Sequence, residues 1–438
     1  MPISPKSQSK RKSNTGRFYP PLALARRDKS VFFLGVLVKI CRVKSIEFFA
    51  GGGGMALGTA RAGFDHRAVI EWDTDACATL RLNAGSGSGH VGDWNVIQTD
   101  VSKYDFSLHN GDVDCVVAGP PCQPFSLGGK HLGQEDERNM FPHAIRAVRE
   151  IQPKAFILEN VRGLLRRGFA NYYSYILHQL CYPDMRIRGE EEWTSHLARL
   201  EKAVTSGKRN GLQYNVVYRL VDAADYGVPQ HRYRVLIIGV RSDLGIAFSF
   251  PEVTHGEDAL LYDQWITGEY WQRHRVAKKH RPEMPWRAHA KIDALNCLWR
   301  DGELLPWRTV RDAICDLPRL EIGESSNKVE NHYLHPGARS YPGHTGSWLD
   351  EPAKTLKAGD HGVPGGENTL RLPDGSLRYF SVRECARLQT FPDEWVFAGS
   401  WTESMRQLGN AVPVELARLV ASRLSEVLIG RGISRSID

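Results

Sequence analysis

Apolar positions along the chain change their spacing in a regular way between residues 45 and 240, where short apolar runs alternate with stretches of helical period. Residues 45–49 read as a strand, 51–54 as a tight turn and 55–62 as the start of a helix. A strand over 68–71 and a helix over 76–82 follow, then a strand over 113–118, a helix over 141–150, a strand over 155–158 and a helix over 172–180. Strands over 214–220 and 234–240 close the series, and the charged insertion 183–212 ahead of them reads as a solvated surface helix. Strand, helix, strand alternation of this kind predicts a parallel α/β sheet.

After residue 240 the texture changes. Residues 241–380 are rich in Gly, Pro, Trp and His without a sustained period, as expected of a second, smaller, loop-rich domain. Helical period returns over 382–388 and 414–428. Residues 1–44 differ again: the first thirty are Ser-, Pro- and Lys-rich, and they predict a disordered extension with order beginning near Val43.

Composition narrows the class. The 438 residues allow two or three domains, and 42% hydrophobic with 24% charged residues excludes both a disordered chain and a membrane channel. The net charge is +7, but residues 1–44 carry eleven Lys/Arg against the single acid Asp28, so the remainder sums to −3. The basic balance belongs to the extension and says little about a nucleic-acid partner. Eight cysteines without a Cys-x-x-Cys pair signal neither zinc nor a disulfide framework, so no metal is expected and the thiols read as reduced. The apolar run 31–38 is too short for a bilayer, which needs about 20 residues, so the expected location is cytoplasmic with no membrane contact.

Three segments carry chemistry. Gly51 to Gly54 stand between strand and helix, where missing Cβ atoms let a ligand approach backbone N–H groups at a helix N-terminus. Gly51, Gly53 and Ala56 satisfy G-x-G-x-x-A, and Glu71 follows twenty residues after Gly51 at the end of the next strand, placed to bind ribose hydroxyls. A nucleoside-containing cofactor fits; its identity stays open on this pattern. Cys122, in Gly119-Pro-Pro-Cys122-Gln-Pro, stands in a proline-stiffened loop at the carboxyl end of a parallel strand, a position suited to a nucleophile. Glu159-Asn160-Val161 forms another loop at such an end, where burial would raise a carboxyl pKa for proton transfer. Arg232 and Arg234, at i and i+2 in Gln230-His-Arg-Tyr-Arg, share one face of the next strand.

Taken in order, these segments resemble the DNA (cytosine-5)-methyltransferase family over about residues 45–420. The family's first motif, Asp-Leu-Phe-Ala-Gly-x-Gly-Gly, stands here as Glu47-Phe48-Phe49-Ala50-Gly51-Gly52-Gly53-Gly54, with a Glu and a Phe as departures. Pro121-Cys122-Gln123 and Glu159-Asn160-Val161 match the two catalytic motifs without departure. Gln230-x-Arg232-x-Arg234, Arg383-Glu384 to Pro392, and Gly409-Asn410-Ala411-Val412-Pro413 match the eighth, ninth and tenth. The resemblance implies a Rossmann-like sheet of the S-adenosylmethionine-dependent methyltransferases with a smaller target recognition domain. It divides the chain into an extension (1–44), a catalytic and cofactor-binding domain (45–240), the recognition domain (241–380) and a segment returning to the catalytic domain (381–438).

The same resemblance implies S-adenosylmethionine as methyl donor, held by Phe49, Ala50, Gly51, Gly53, Glu71, Trp72, Asp100, Pro121 and Asn410. Cys122, Glu159, Arg232 and Arg234 would be catalytic: the thiolate adds to cytosine C6, Glu159 protonates N3, and Arg234 meets O2. Recognition of double-stranded DNA would fall to 241–380, with Thr355, Leu356 and His361 as candidate contacts. Within that segment, 271–311 holds ten Lys/Arg against four acids, with Trp271, Trp286, Trp299 and Trp307 interleaved. The expected setting is a monomeric, nucleoid-associated modification enzyme with a cognate restriction endonuclease. The alternatives are a tRNA cytosine-5 methyltransferase of the same fold, whose Cys-Phe-Thr marker is absent, and an NAD-dependent oxidoreductase, which gives Cys122 and Glu159 no role. Family chains begin shortly before the first motif, so residues 1–42 are expected to be dispensable, with Val43 or an upstream Val or Leu as a non-ATG start; a tail adding non-specific phosphate affinity is the alternative.

Overall fold

The computed structural model describes residues 42–85, 93–121, 140–206, 211–298, 304–320, 329–339, 345–358 and 368–434. The expected disordered extension lies outside the described residues up to position 41. Seven strands build the central sheet: β1 (Val43–Phe48), β2 (Phe64–Glu71), β3 (Val96–Gln98), β4 (Cys115–Ala118), β5 (Ala155–Val161), β6 (Tyr214–Asp222) and β7 (Tyr233–Arg241), in the order β3-β2-β1-β4-β5-β7-β6. The strands from β3 to β5 pair in parallel, whereas β7 runs antiparallel to both β5 and β6. Central strands such as Cys-Val-Val-Ala of β4 are buried throughout because helices cover both faces.

One face receives helices Phe141–Ile151 and Ala170–Cys181, packed on Phe156, Leu158, Val235 and Ile237. The other receives helices Gly54–Arg61 and Val414–Ser434, packed on Val117, Ile157, Leu236 and Ile238. These last two helices lie so close that a Cβ on Gly58 would stand 2.5 Å from both the Ala417 Cβ and the Val414 carbonyl oxygen. The end of the described chain is thus part of the layer that covers its first strand.

Strand order reverses between β1 and β4, since the chain leaves one toward β2 and the other toward β5. Ligands of open α/β sheets bind at the carboxyl ends on either side of such a reversal. The turn 49–54 and the segment 119–121 stand there.

Several expectations are corrected. Glu159-Asn160-Val161 is not a loop but the end of β5. The parallel neighbour β4 stops at Ala118↔Leu158, yet antiparallel β7 continues the ladder through Glu159↔Leu236, Asn160↔Val235 and Val161↔Arg234. Strand β3 and helix Trp401–Asn410, capped by the Ser400 hydroxyl, were not legible as periods. The insertion does form a helix, Trp193–Ser206, but His196 and Leu200 are buried, and the Tyr175 hydroxyl and His196 Nδ1 bond at 2.8 Å. In the segment 241–380, Trp271 is core: it packs with Leu260 and Tyr270, and its indole N–H donates to the Gln264 carbonyl at 2.6 Å. Trp307 donates to Asp225 at 3.0 Å, Trp286 is exposed, and Trp299 lies outside the described residues.

The contact between the two helices yields a stability test. Gly58→Ala should lower the unfolding free energy by about 1 to 3 kcal/mol, the range for overpacking a fitted core. An unmoved urea midpoint would mean that the helices part without strain.

Candidate active site

The turn after β1 is shaped by three left-handed residues, Phe49 (φ 59°), Gly51 (φ 53°) and Gly53 (φ 87°). Phe49 adopts this conformation despite its side chain. The Gly51 N–H donates to Glu71 Oε2 at 2.7 Å, and the Trp72 and Asp73 N–H groups donate to Oε1 at 2.8 and 3.0 Å. Glu71 therefore ties the glycine turn to the end of β2 while nearly buried. Ala50 is buried beneath the turn, and the Trp72 ring stands 74% exposed beside it. Asp100 accepts from the Ser102 N–H at 2.8 Å and its carboxyl is held below its ordinary pKa by the bonds from Ser102. Asn410 is exposed at the end of helix Trp401–Asn410, and the run it belongs to meets the glycine turn: a Cβ on Gly54 would lie 2.2 Å from the Val412 carbonyl oxygen.

Across the strand reversal, Glu159 and Arg234 project from the same face as diagonal neighbours on β5 and β7. Arg234 Nε stands 2.5 Å from Glu159 Oε1, with both side chains less than a tenth exposed. Burial raises the Glu159 pKa, against the opposing pull of Arg234 and Arg232. The segment 119–121 that precedes Cys122 is adjacent: a Cβ on Gly119 would lie 3.3 Å from Glu159 Oε2, and Asn160 Nδ2 donates to the Pro120 carbonyl at 3.1 Å. Pro121 is exposed at the end of this segment, and Cys122 itself lies outside the described residues.

Arg232 shares the face of Arg234 but has a different environment. Its guanidinium is fully buried and donates to the Leu356 carbonyl at 3.0 Å and the Gly409 carbonyl at 2.5 Å. Its guanidinium thus spends these two bonds on two backbone segments, while Arg234 is the one that meets Glu159. Gly409 permits the approach, since a Cβ there would fall 2.2 Å from the Ala358 nitrogen.

The Thr355–Leu356 pair also packs on the segment around Arg232. The Thr355 hydroxyl donates to the His231 carbonyl at 2.6 Å, the Leu356 N–H donates to Gln230 Oε1 at 2.9 Å, and Leu356 is buried. The pair docks 353–358 onto the Gln230–Arg234 segment. His361 lies outside the described residues.

Asp222 escaped the sequence reading. It accepts from the Arg232 N–H at 2.9 Å and pairs with His231 Nδ1 at 2.8 Å. Only the antiparallel pairing of β6 with β7, which sets Asp222 opposite Tyr233, brings it there. Asp73, Asp75 and Glu403 also converge near the glycine turn, with Arg406 bonded to Asp73 at 2.7 Å and to Glu403 at 2.5 Å. Among the described residues no helix is long and apolar enough to cross a membrane.

Comparison with known proteins agrees with this geometry. The profile of the C-5 cytosine-specific DNA methylase family matches residues 43–182 and 196–426. The chain is 34% identical over 391 residues to the type II methyltransferase M.NgoMIV of Neisseria gonorrhoeae, covering 88% of this chain and 97% of that protein. It is 35% identical over 398 residues to the type II methyltransferase M.PspPI of Psychrobacter sp. (strain TA137), covering 87% and 79%. Among solved structures, a prophage-encoded chain of Escherichia coli assigned as a DNA modification methyltransferase superposes with a TM-score of 0.52 at 21% identity, covering 88% of this chain and 99% of that one, a likeness of fold.

The raised Glu159 pKa has a measurable consequence. The folded state holds this proton more tightly than the unfolded chain, so the stabilisation is full below the unfolded pKa of about 4.3 and is lost as pH rises through the folded value. The unfolding free energy of wild type minus that of Glu159→Gln should therefore fall over that interval. Urea titrations at a series of pH values measure it, and a difference that stays level or grows would contradict the burial argument.

Proposed function

This chain belongs to the C-5 cytosine-specific DNA methylase family and is a DNA (cytosine-5-)-methyltransferase, and from that premise we propose how its residues divide the reaction. The observation that carries the proposal is the buried Glu159–Arg234 pair beside the segment 119–121 that precedes Cys122. The type II relatives support a modification enzyme that methylates one cytosine within a specific double-stranded sequence.

S-adenosylmethionine, when bound, supplies an electrophilic methyl group to the activated C5. The residues at the glycine turn fit it. Glu71 uses three acceptor positions on backbone N–H groups, and a carboxylate offers about four, so one remains for a ribose hydroxyl. The exposed Trp72 ring offers a face for the adenine, Asp100 an acceptor near its amino group, and the backbone at 49–53 a cradle. Pro121 and Asn410 complete this set.

The protein's part begins with extrusion of the target base, which costs a few kcal/mol. The Cys122 thiolate forms a bond to C6, and the displaced electron pair reaches N3, where it takes the proton of Glu159. A carboxyl with a raised pKa is suited to arrive protonated. Arg234, already beside Glu159, then faces both the carboxylate left behind and the cytosine O2. After methylation the C5 proton departs, the C6–S bond breaks and Glu159 recovers its proton from N3. Arg232 positions this arrangement by holding 356 and 409.

Residues 241–380 are assigned the choice of target sequence, with 45–240 and 381–438 forming the catalytic part. His361 and its loop remain candidates for base contacts. A cognate endonuclease and a monomeric, nucleoid-associated working form complete the proposal. Nothing favours the tRNA or oxidoreductase alternatives.

Two experiments test this reading. Cys122→Ala should abolish methyl transfer while S-adenosylmethionine affinity changes less than about twofold, because only the covalent step uses the thiol. On duplexes with 5-fluorocytosine at the site located by bisulfite sequencing, the wild type should form a denaturant-resistant adduct and C122A none; transfer without adduct would refute the covalent route. Exchanging 241–380 for the corresponding segment of a relative should redirect or abolish methylation without altering cofactor affinity. A hybrid that still methylates the original site would remove that segment from recognition.

A further inference from the structure

Immediately beyond β5, two tight 3-10 turns, Arg162–Leu165 and Arg167–Phe169, set three guanidinium groups in six positions: Arg162, Arg166 and Arg167. Arg162 and Arg167 are exposed and Arg166 half-buried. Among the described residues none of the three has an acidic partner. Arg162 lies instead over the Tyr233 ring, 5.3 Å from its centroid.

Several other basic side chains are paired with acids. In the basic stretch 271–311, Arg273 pairs with Asp263, Lys291 with Glu257 and Asp258, and Arg311 with Asp350. Elsewhere Arg387 pairs with Asp316 and Asp393, and Arg418 with Glu415. Part of the charge of 271–311 is thus neutralised internally, whereas that of the run after β5 is not paired with any acid among the described residues.

The location is equally specific. Tyr233 alternates with Arg232 and Arg234 on β7, so it emerges on the opposite face of the sheet from the Glu159–Arg234 pair but at the same edge. Its ring is 39% exposed. On the outermost strand β6, Leu220 and Tyr218 stand opposite Val235 and Ile237, hence on the Tyr233 face, and both are exposed. Cations interleaved with aromatic and aliphatic surface match a chain of phosphates joined by sugars.

We propose that Arg162, Arg166 and Arg167, with Tyr233, form a phosphodiester-binding rail that grips the DNA backbone beside the extruded cytosine. This rests on the reading that the substrate is duplex DNA. A base that swings out of the stack turns about its own flanking phosphates, so fixing them near Glu159 orients the nucleotide as it enters. Phosphate contacts position a protein without reading sequence, so the rail acts on every duplex alike. It assigns to the catalytic part of the chain a grip that composition alone gave to 271–311.

The test compares wild type with the triple variants Arg162→Gln/Arg166→Gln/Arg167→Gln and Arg162→Lys/Arg166→Lys/Arg167→Lys, and with a control at exposed positions of the insertion 183–212, Arg188→Gln/Lys202→Gln. Each is titrated with target and non-target duplexes across a salt series. Each lost phosphate contact should reduce the magnitude of the slope of log K against log salt by about 0.9. The Gln variant is therefore expected to lose about 2 to 3 from the slope on both duplexes, whereas the Lys variant and the control keep it. Cofactor affinity should stay within about twofold of wild type. An unchanged slope in the Gln variant overturns the rail, as does a loss confined to the target duplex, which would mean base reading. Loss of self-association with unaltered DNA binding would assign the surface to protein contact and equally overturn it. Wild type that fails to transfer methyl groups to duplex DNA would instead remove the premise, an outcome separable from all of these.

Discussion

A carboxyl group and a guanidinium group withdrawn together from water must compensate each other closely, because removing either leaves a charge whose desolvation is unrelieved. Glu159 and Arg234 meet this constraint at the edge of the sheet, and much of the architecture is arranged around it. The pair exists because β7 runs against its neighbours. A parallel strand following β5 would put its first residues at the far edge; the antiparallel one brings Arg232 and Arg234 to the carboxyl ends where β4 and β5 finish. The same reversal extends β5 to include Glu159, which fixes the carboxyl on a strand instead of leaving it on a loop.

Arg232 carries the constraint outward. One buried side chain binds the backbone at 356 and at 409, and its own N–H is held by Asp222. Three stretches far apart in the chain thus converge on one residue: the approach to β7, the docking segment 353–358 of the proposed recognition segment, and the run beside the glycine turn. The close fit of Gly409 against 357–358 leaves this junction little room for adjustment.

How legible all this was in the sequence depends on how local each feature is. The βαβ alternation and the glycine turn are written in neighbouring residues, and the strands expected there are present with boundaries shifted by a few positions. Strand β3 has three half-buried or exposed residues and no period to detect. The strand character of Glu159-Asn160-Val161 depends on a partner more than seventy residues away, so no local pattern could reveal it. Leu356 and Trp271 illustrate a different limit: an apolar residue in a Gly- and Pro-rich segment reads alike whether it faces a ligand or fills a core, and both proved to be core. Arg232 and Arg234 were correctly placed on one face, but which of them meets Glu159 was decided by register.

The packing of the last helix on the first has a consequence for synthesis. Helix Gly54–Arg61 precedes the residues that cover it, Val414 and Ala417 among them, by about 350 positions of chain. At about 5 to 20 residues per second the interval is on the order of tens of seconds. During that time the apolar face of β1 and its helix lacks its native cover. The packing of the first helix of the sheet is thus completed only by residues from 414 onward.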